Sequence, residues 1–306
     1  MKILIVGGTG MIGGHAALWL GSHGHAVTLA ARKPAQSQSA LAALPFIAGD
    51  YIEDGFTVAQ LTGFDAVVFA AGNDIRHLPP DTAFDAHCLR ANAEAVPRFA
   101  ALARQAGVRK FVLIGSFYPQ VAPALIQSNA YVRSRYLADQ GVCALATPAF
   151  NACSVNAPFV VGAVPGLHSA MFEAYTRYAE GALGIPPYGP AGGTNFMSTQ
   201  SLSEAILGAL ERAESGKSYL VGDENLSFAA YFGLFFSAVG NDQLVPALEQ
   251  EHPMLPDVAI YTGRGNTVAY EPPAAESALL AYRRGDVRRA VNEVVAQYHK
   301  AEGINS

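Results

Sequence analysis

Tyr131 and Arg135 stand four residues apart, a spacing that puts both side chains on one face of a helix. A phenol ordinarily gives up its proton only at about pH 10, so it needs a nearby cation to exchange one near neutrality. An arginine one turn along supplies that cation. Taken alone, the pair describes a solvated helix with one aromatic equally well. Ser116 shifts the balance. It follows the apolar run Phe111–Ile114 and Gly115, at what reads as the carboxyl end of a strand. Open α/β sheets place their ligands beyond such ends. A hydroxyl there can hold a substrate carbonyl while the phenol exchanges that oxygen's proton.

A second chemistry is written at the start of the chain. The apolar run Lys2–Val6 leads directly into Gly7-Gly8-Thr9-Gly10-Met11-Ile12-Gly13-Gly14, and an amphipathic stretch, His15 to Ser22, follows. Strand, glycine turn and helix in that order are the context of a dinucleotide site. Gly7 and Gly10 allow a tight turn and let backbone N–H groups approach a pyrophosphate, and Gly13 lets the helix pack against the strand. The phosphates would sit at the positive end of that helix. The second strand ends Leu29-Ala30-Ala31-Arg32-Lys33. No acid is present there to bind a ribose 2′-hydroxyl, and two cations fit a 2′-phosphate, so NADP is expected over NAD. Asp50, after Ala48-Gly49, can accept from an adenine amino group or cap the turn that follows it, and both readings stay open.

These residues need a scaffold, and the pattern provides one. Apolar runs at Ala26–Ala31, Pro45–Ala48, Ala66–Ala70, Phe111–Ile114 and Ala152–Val155 read as further strands. Helical patterns at Asp81–Gln105 and Tyr131–Gln140 separate the later ones, each ending at a glycine. This alternation predicts a Rossmann-type, doubly wound parallel sheet. After Pro158 the chain is broken by prolines and glycines and is expected to be loop-rich. Helices are expected at Ser201–Ala213, at Phe228–Val239 capped by Ser227, and, as one or two, over Ser277–His299, with a short strand at Ser218–Val221 and an irregular stretch from Pro246 to Pro273. The division expected is a dinucleotide-binding domain over 1–160 and a smaller substrate lobe over 161–306, with 196–222 packing back on the first.

The 306 residues are 51% hydrophobic and 15% charged, enough for a large core. The net charge of −5 and the lack of a lysine- or arginine-rich block argue against nucleic acid or an acidic membrane as partner. Arg283-Arg284 and Arg288-Arg289 read as a solvated helix face. Cys88, Cys143 and Cys153 have neither disulfide nor zinc spacing, and His23-x-His25 reads as a surface turn, so no metal is expected. The first apolar run belongs to a strand rather than a signal peptide, and Phe228–Val239 is too short to span a bilayer. A cytoplasmic, reduced protein is expected, with a small-molecule substrate; a homodimer is left open.

With these motifs in place, the chain resembles the extended branch of the short-chain dehydrogenase/reductase superfamily, the epimerase/dehydratase-like and dihydroflavonol-reductase-like proteins. Val6–Gly13 matches the cofactor turn and Ala70-Ala71-Gly72 the turn after the fourth strand. Asn92 falls where relatives often carry asparagine. Asn129–Arg135 matches the segment around the catalytic tyrosine, Ala157–Gly162 the segment over the nicotinamide, and Ser198–Leu210 with Gly216–Gly222 the later helix and strand. The resemblance implies that Gly7, Thr9, Gly10, Met11, Ile12, Gly13, Ala70, Ala71, Gly72, Pro158 and Phe159 line the cofactor together with Tyr131 and Arg135. It implies that Ser116, Tyr131 and Arg135 carry the chemistry. Tyr118, Phe159 and Phe196, with Ser116, are candidates to line the substrate, although ordinary core packing explains the aromatic ones equally well.

The departures from the pattern are specific. Arg135 stands where the family has lysine, which keeps the charge but releases a proton far less readily. The segment Gly115-Ser116-Phe117-Tyr118 has one serine where many relatives have two, and Asn195–Thr199 lacks a common acid. Residues that grip a nucleotide-sugar diphosphate in some relatives are not evident. The expected activity is an NADP-dependent reductase or dehydrogenase with Tyr131 as proton donor and acceptor. The alternatives are an epimerase or dehydratase using the same apparatus, and a non-catalytic NADP-binding sensor.

Overall fold

The computed structural model describes residues 1–303. Its strands, in chain order, are β1 (Lys2–Val6), β2 (Ala26–Ala31), β3 (Phe46–Ala48), β4 (Ala66–Phe69), β5 (Lys110–Ser116), β6 (Asn151–Ala157), β7 (Phe159–Val161), β8 (Gly189–Pro190), β9 (Gly193–Ser198), β10 (Ser218–Leu220), β11 (Glu224–Ser227) and β12 (Ala247–Leu248). Seven of them form one sheet in the order β10-β6-β5-β4-β1-β2-β3. All its pairings are parallel. Parallel strands need crossovers, and these put helices on both faces; β1, β4 and β5 are accordingly apolar and buried almost throughout.

The strand order reverses at β1. Val6 lies level with Ala30 of β2 and Phe69 of β4. The turns after these three strands therefore open at one edge of the sheet, the crevice where such folds bind ligands. Residues beyond β7 return to this sheet: β10 pairs with β6, and the helix Thr199–Arg212 packs on the helix Met11–Ser22.

The rest of the chain builds a second body of packing. A three-stranded sheet, β11-β9-β7, and a two-stranded one, β12-β8, carry it. Its core is aromatic, with Phe172, Tyr175, Tyr178, Phe196, Phe232 and Phe235 buried among the helices Ala170–Ala179, Phe228–Ala238 and Val287–Glu302. Among the described residues, no helix is long and apolar enough to cross a membrane.

Several sequence expectations change. The first helix begins at Met11, not His15, because the glycine turn ends at Gly10. The expected helix Asp81–Gln105 begins only at Phe84, after Asp81 at φ 57°. It runs Phe84–Cys88, passes through a wider π-helical stretch, Leu89–Glu94, and resumes as Ala95–Gln105. Pro97 lacks an N–H and its ring crowds the carbonyl four residues earlier, and the π turn falls over those carbonyls. The segment after Pro158 is less irregular than expected. Helix Ala170–Ala179 was readable from Phe172, Tyr175, Tyr178 and Ala179, which recur at helical spacing and are all buried. The final region holds two helices, within the one or two expected, but with wider bounds: Ala274–Leu280 and Val287–Glu302, separated by Ala281 at φ 53° and Gly285. The expected solvated face carries ion pairs: the exposed Arg283 and Arg284 pair with Glu204 and Glu271, and Arg289 pairs with Asp286 at the start of its own helix.

Candidate active site

The glycine turn is built by backbone alone. Gly7 sits at φ 79° and its N–H donates to the Ala30 carbonyl at 2.8 Å. A side chain on Gly7 would meet the Ala71 nitrogen at 2.8 Å, and one on Gly13 would meet the Gly7 carbonyl oxygen at 2.4 Å. Strand, helix and the turn after β4 therefore touch backbone to backbone. Gly10 differs, since a Cβ there would find only the Gly7 oxygen, at 3.5 Å. The space beside Gly10 is open. The helix that starts there has no side-chain cap and no acid in its first turn. An uncapped, positive helix end with room beside a glycine is a cradle for a diphosphate. Thr9, Met11 and Ile12 lie on its rim, all partly or fully exposed.

At the end of β2, Arg32 and Lys33 are exposed and form no ion pair among the described residues. Asp50 accepts from the Ile52 N–H at 2.9 Å, which is the turn-capping arrangement; this uses Oδ1.

Between the cofactor edge and Tyr131 runs a closed chain of buried hydrogen bonds. The Tyr51 hydroxyl donates to the Ala71 carbonyl at 2.9 Å and accepts from Asn73 Nδ2 at 2.6 Å. Asn92 clamps Asn73 from both sides, accepting from its N–H at 3.1 Å and donating to its carbonyl at 2.9 Å. Asn92 Nδ2 also reaches Ser134 Oγ at 3.2 Å, and Ser134 donates to the Tyr131 carbonyl at 2.8 Å. The turn Ala70-Ala71-Gly72 and the helix Ala130–Cys143 are thus fixed to one another. Tyr51, Asn73 and Ser134 were missed in the sequence, where nothing in their spacing marks them. The asparagine at 92 was noticed, but not what it holds.

Asn129 starts the helix by accepting from the Val132 N–H at 3.0 Å, which places Tyr131 in the first turn and Arg135 one turn later. Arg135 is 7% exposed and has no carboxylate partner among the described residues. Its Nη2 donates to the Ile114 carbonyl at 2.6 Å, and its Nε is buried without a partner. A Cβ on Gly72 would lie 2.3 Å from its Nη1, so the guanidinium occupies the place a side chain there would take. A buried cation with an unused donor beside the cofactor crevice is an incomplete arrangement, and a ribose hydroxyl is the kind of acceptor that completes it.

Burial pushes the Tyr131 phenol above its ordinary range. The Arg135 cation pulls it back down, with help from Ser116 and Arg76, while Asp74 pushes it up. Burial would also raise Asp74, yet hydrogen bonds from His77 and Arg76 hold its carboxyl well below the usual range. Asp74 is therefore charged, and Arg76 grips it through Nε and Nη2. Ser116, at the tip of β5, is 6% exposed. The structure brings Ser116, Tyr131 and Arg135 together at the end of β5.

The aromatic candidates sort differently. Tyr118 is buried, its ring edge-on to Tyr261 at 5.5 Å. Phe159 follows Pro158 and is partly exposed, packing edge-on against Phe117 at 6.4 Å. Phe196 is only 2% exposed and stacks on Tyr231 at 4.1 Å. It supports Phe159 from behind rather than forming a wall. The unexpected residue is Tyr261, whose ring lies 4.5 Å from that of Tyr131 at 19°. It comes from a segment expected to be irregular, with no periodicity to place it. A cavity of about 700 Å³ lined by Phe56, Arg98 and Leu102 contains none of Ser116, Tyr131 and Arg135 and is not this site.

Comparison with known proteins follows the geometry. The model of the NAD dependent epimerase/dehydratase family matches residues 3–222. No curated protein matches the chain by sequence. Among solved structures, the crystal structure of gox2253 is similar at 20% identity and a TM-score of 0.76, covering 100% of this chain and 99% of that one. The Bordetella bronchiseptica enzyme WbmG in complex with NAD and UDP shares 16% identity at a TM-score of 0.72, over 100% of this chain and 96% of that one. The UDP-N-acetylglucosamine 4-epimerase from Bacillus cereus shares 14% at a TM-score of 0.72, over 100% and 98%. At such identities these likenesses establish the fold.

Proposed function

The chain belongs to the NAD dependent epimerase/dehydratase family, and from that premise we propose that it is a nicotinamide-dependent oxidoreductase acting on a carbonyl or hydroxyl carbon of a small organic substrate. The observation that carries this reading is the placement of Tyr131 between Ser116 and the carboxylate-free cation Arg135, at the crevice edge that the open glycine cradle faces. A bound nicotinamide would supply or take up the hydride. The cradle at Gly10 would hold the diphosphate. Arg32 and Lys33 favour a 2′-phosphate there, and so NADP over NAD.

In the reducing direction, Ser116 donates to the substrate's carbonyl oxygen and orients it. The Tyr131 hydroxyl gives that oxygen its proton as the carbon accepts hydride, so carbonyl, hydride and proton become an alcohol. Arg135 steadies the phenolate that remains and offers its free donor to the ribose. Its own proton stays in place, so the phenolate recovers a proton through water rather than through this side chain. Epimerase or dehydratase chemistry with a transient hydride transfer is the second reading, favoured by the likeness to the UDP-N-acetylglucosamine 4-epimerase.

NADPH oxidation by the purified protein against a panel of aldehydes and ketones tests the first reading. Tyr131→Phe should lower turnover by ~10²–10⁴-fold and leave cofactor affinity within about twofold, because only the acidic hydroxyl is lost. Arg135→Lys should remain active. Tight NADPH binding with no turnover on any substrate would reject the enzyme and leave a nicotinamide sensor.

A further inference from the structure

We propose that the substrate is a neutral carbonyl or alcohol compound carrying a flat apolar ring, and that Tyr261 selects it. The chemistry at the carbonyl rests on the reading above, but the recognition does not.

The approach to Ser116 and Tyr131 is walled by aromatic rings from three separate segments. Tyr261 lies parallel to Tyr131 and edge-on to Tyr118. Tyr270 lies nearly parallel to Phe117, with centroids 5.9 Å apart at 28°, and Phe159 closes on the other edge of Phe117. Parallel and edge-on rings at these spacings make surfaces that accept a further ring in the same geometry.

The segment that brings Tyr261 is built, not draped. Gly263 and Gly265, at φ 81° and 82°, turn the chain back on itself, and Asn266 Nδ2 closes the turn on the Thr262 carbonyl at 2.8 Å. The Gly265 N–H then donates to Ala191 at 2.9 Å and the Val268 N–H to Gly193 at 3.0 Å, pinning the turn against the start of β9. The Tyr270 hydroxyl donates to the Val221 carbonyl at 2.7 Å. Tyr261 itself is only partly buried, and its hydroxyl makes no hydrogen bond among the described residues. Its ring is held in place by a segment hydrogen-bonded to the rest of the lobe.

The charges argue against a phosphorylated substrate. A nucleoside diphosphate needs unpaired cations or arrays of N–H donors. Arg76, the arginine that acts on Tyr131 from the cleft side, is spent on Asp74. In the lobe, Arg177 pairs with Glu173, Arg264 with Asp257 and Arg284 with Glu271. The rings are neutral and the charges of Asp74 and Arg76 beside them are paired with each other, and a neutral ring is what such a wall desolvates without loss.

Ligand-observed NMR on the wild-type protein saturated with NADP, with acetophenone and UDP as separate probes, tests this. Acetophenone should bind and UDP should not. Tyr261→Ala should weaken acetophenone at least tenfold and Tyr261→Phe should restore it; unchanged NADP affinity certifies that each variant is folded. UDP binding beside NADP, no acetophenone binding by the wild type, or undiminished binding by Tyr261→Ala would each overturn the proposal. Acetophenone binding without any NADPH turnover would sink the oxidoreductase reading and spare this one. Turnover confined to nucleotide sugars would do the opposite.

Discussion

The two ends of this crevice are made of different material. At the cofactor end, the turn is shaped by backbone: at Gly7 and Gly13 backbone atoms lie where a side chain would intrude, and only beside Gly10 is the space open. At the substrate end, Tyr261, Tyr118, Phe117 and Phe159 shape the space with side chains, on a segment with little regular structure. The contrast teaches where change is tolerated. A backbone surface admits no new atoms, so the cofactor end varies little without failing. A side-chain surface can be recut ring by ring, so specificity is adjustable at the far end without disturbing the hydride geometry.

The sharpest way to break the comparison is within the turn itself. Gly13→Ala would put a methyl 2.4 Å from the Gly7 oxygen and should cost about 3 kcal/mol of stability, seen as a lower urea midpoint. Gly10→Val should leave that midpoint nearly unchanged, because its space is open, and should remove cofactor binding through the branched side chain. Equal effects on stability would mean that the cradle is not where the turn leaves room.

Next is an acid response of the aromatic lobe. His252 is fully buried among Tyr178, Tyr188 and Phe232, and its Nε2 has no partner. Burial depresses its pKa from 6.5 to about 4. The unfolded chain therefore takes up a proton that the folded one refuses. Stability is intact above pH ~6.5 and falls as the pH drops toward ~4, by about 3 kcal/mol in all. His15, on the glycine-turn helix, is lowered to about 4 by its own burial and adds a similar slope. His252→Asn, whose Oδ1 can accept the Met254 N–H in place of Nδ1, isolates the lobe. Its urea midpoint should depend less steeply on pH in that window than the wild type's, and an identical slope would refute the assignment.

The smallest effect concerns the adenosine end, where side chains again enter. The double change Arg32→Ala and Lys33→Ala should weaken NADP by ~1–3 kcal/mol and leave NAD nearly untouched, as read by cofactor titration. Equal loss for both cofactors would remove the 2′-phosphate from this position.

Much of the cofactor end was legible because it is local. Gly7 to Gly13 are neighbours in the chain, β1 precedes them and the helix follows, so residue order alone states the strand, the turn and the open helix end. Tyr131 and Arg135 are likewise one helical turn apart. The helix Ala170–Ala179 was legible too, but the prolines and glycines around it drew attention away from its buried period. Arg135 shows the limit. Its charge was readable, but that it leans into the space left by Gly72 and donates to Ile114 follows only from packing β4 and β5 side by side.

The sequence by itself determined the strands of the sheet, the glycine turn and the shared helix face of Tyr131 and Arg135, since each depends on spacing within one segment. The tertiary structure alone decided the bond chain from Tyr51 through Asn73, Asn92 and Ser134, and the placing of Tyr261 over Tyr131. Residues so far apart in the chain meet only because parallel crossovers and a returning C-terminal loop bring their segments to one edge. No local pattern records a contact whose partner lies tens of residues away or more, because neither residue's backbone preference depends on the other.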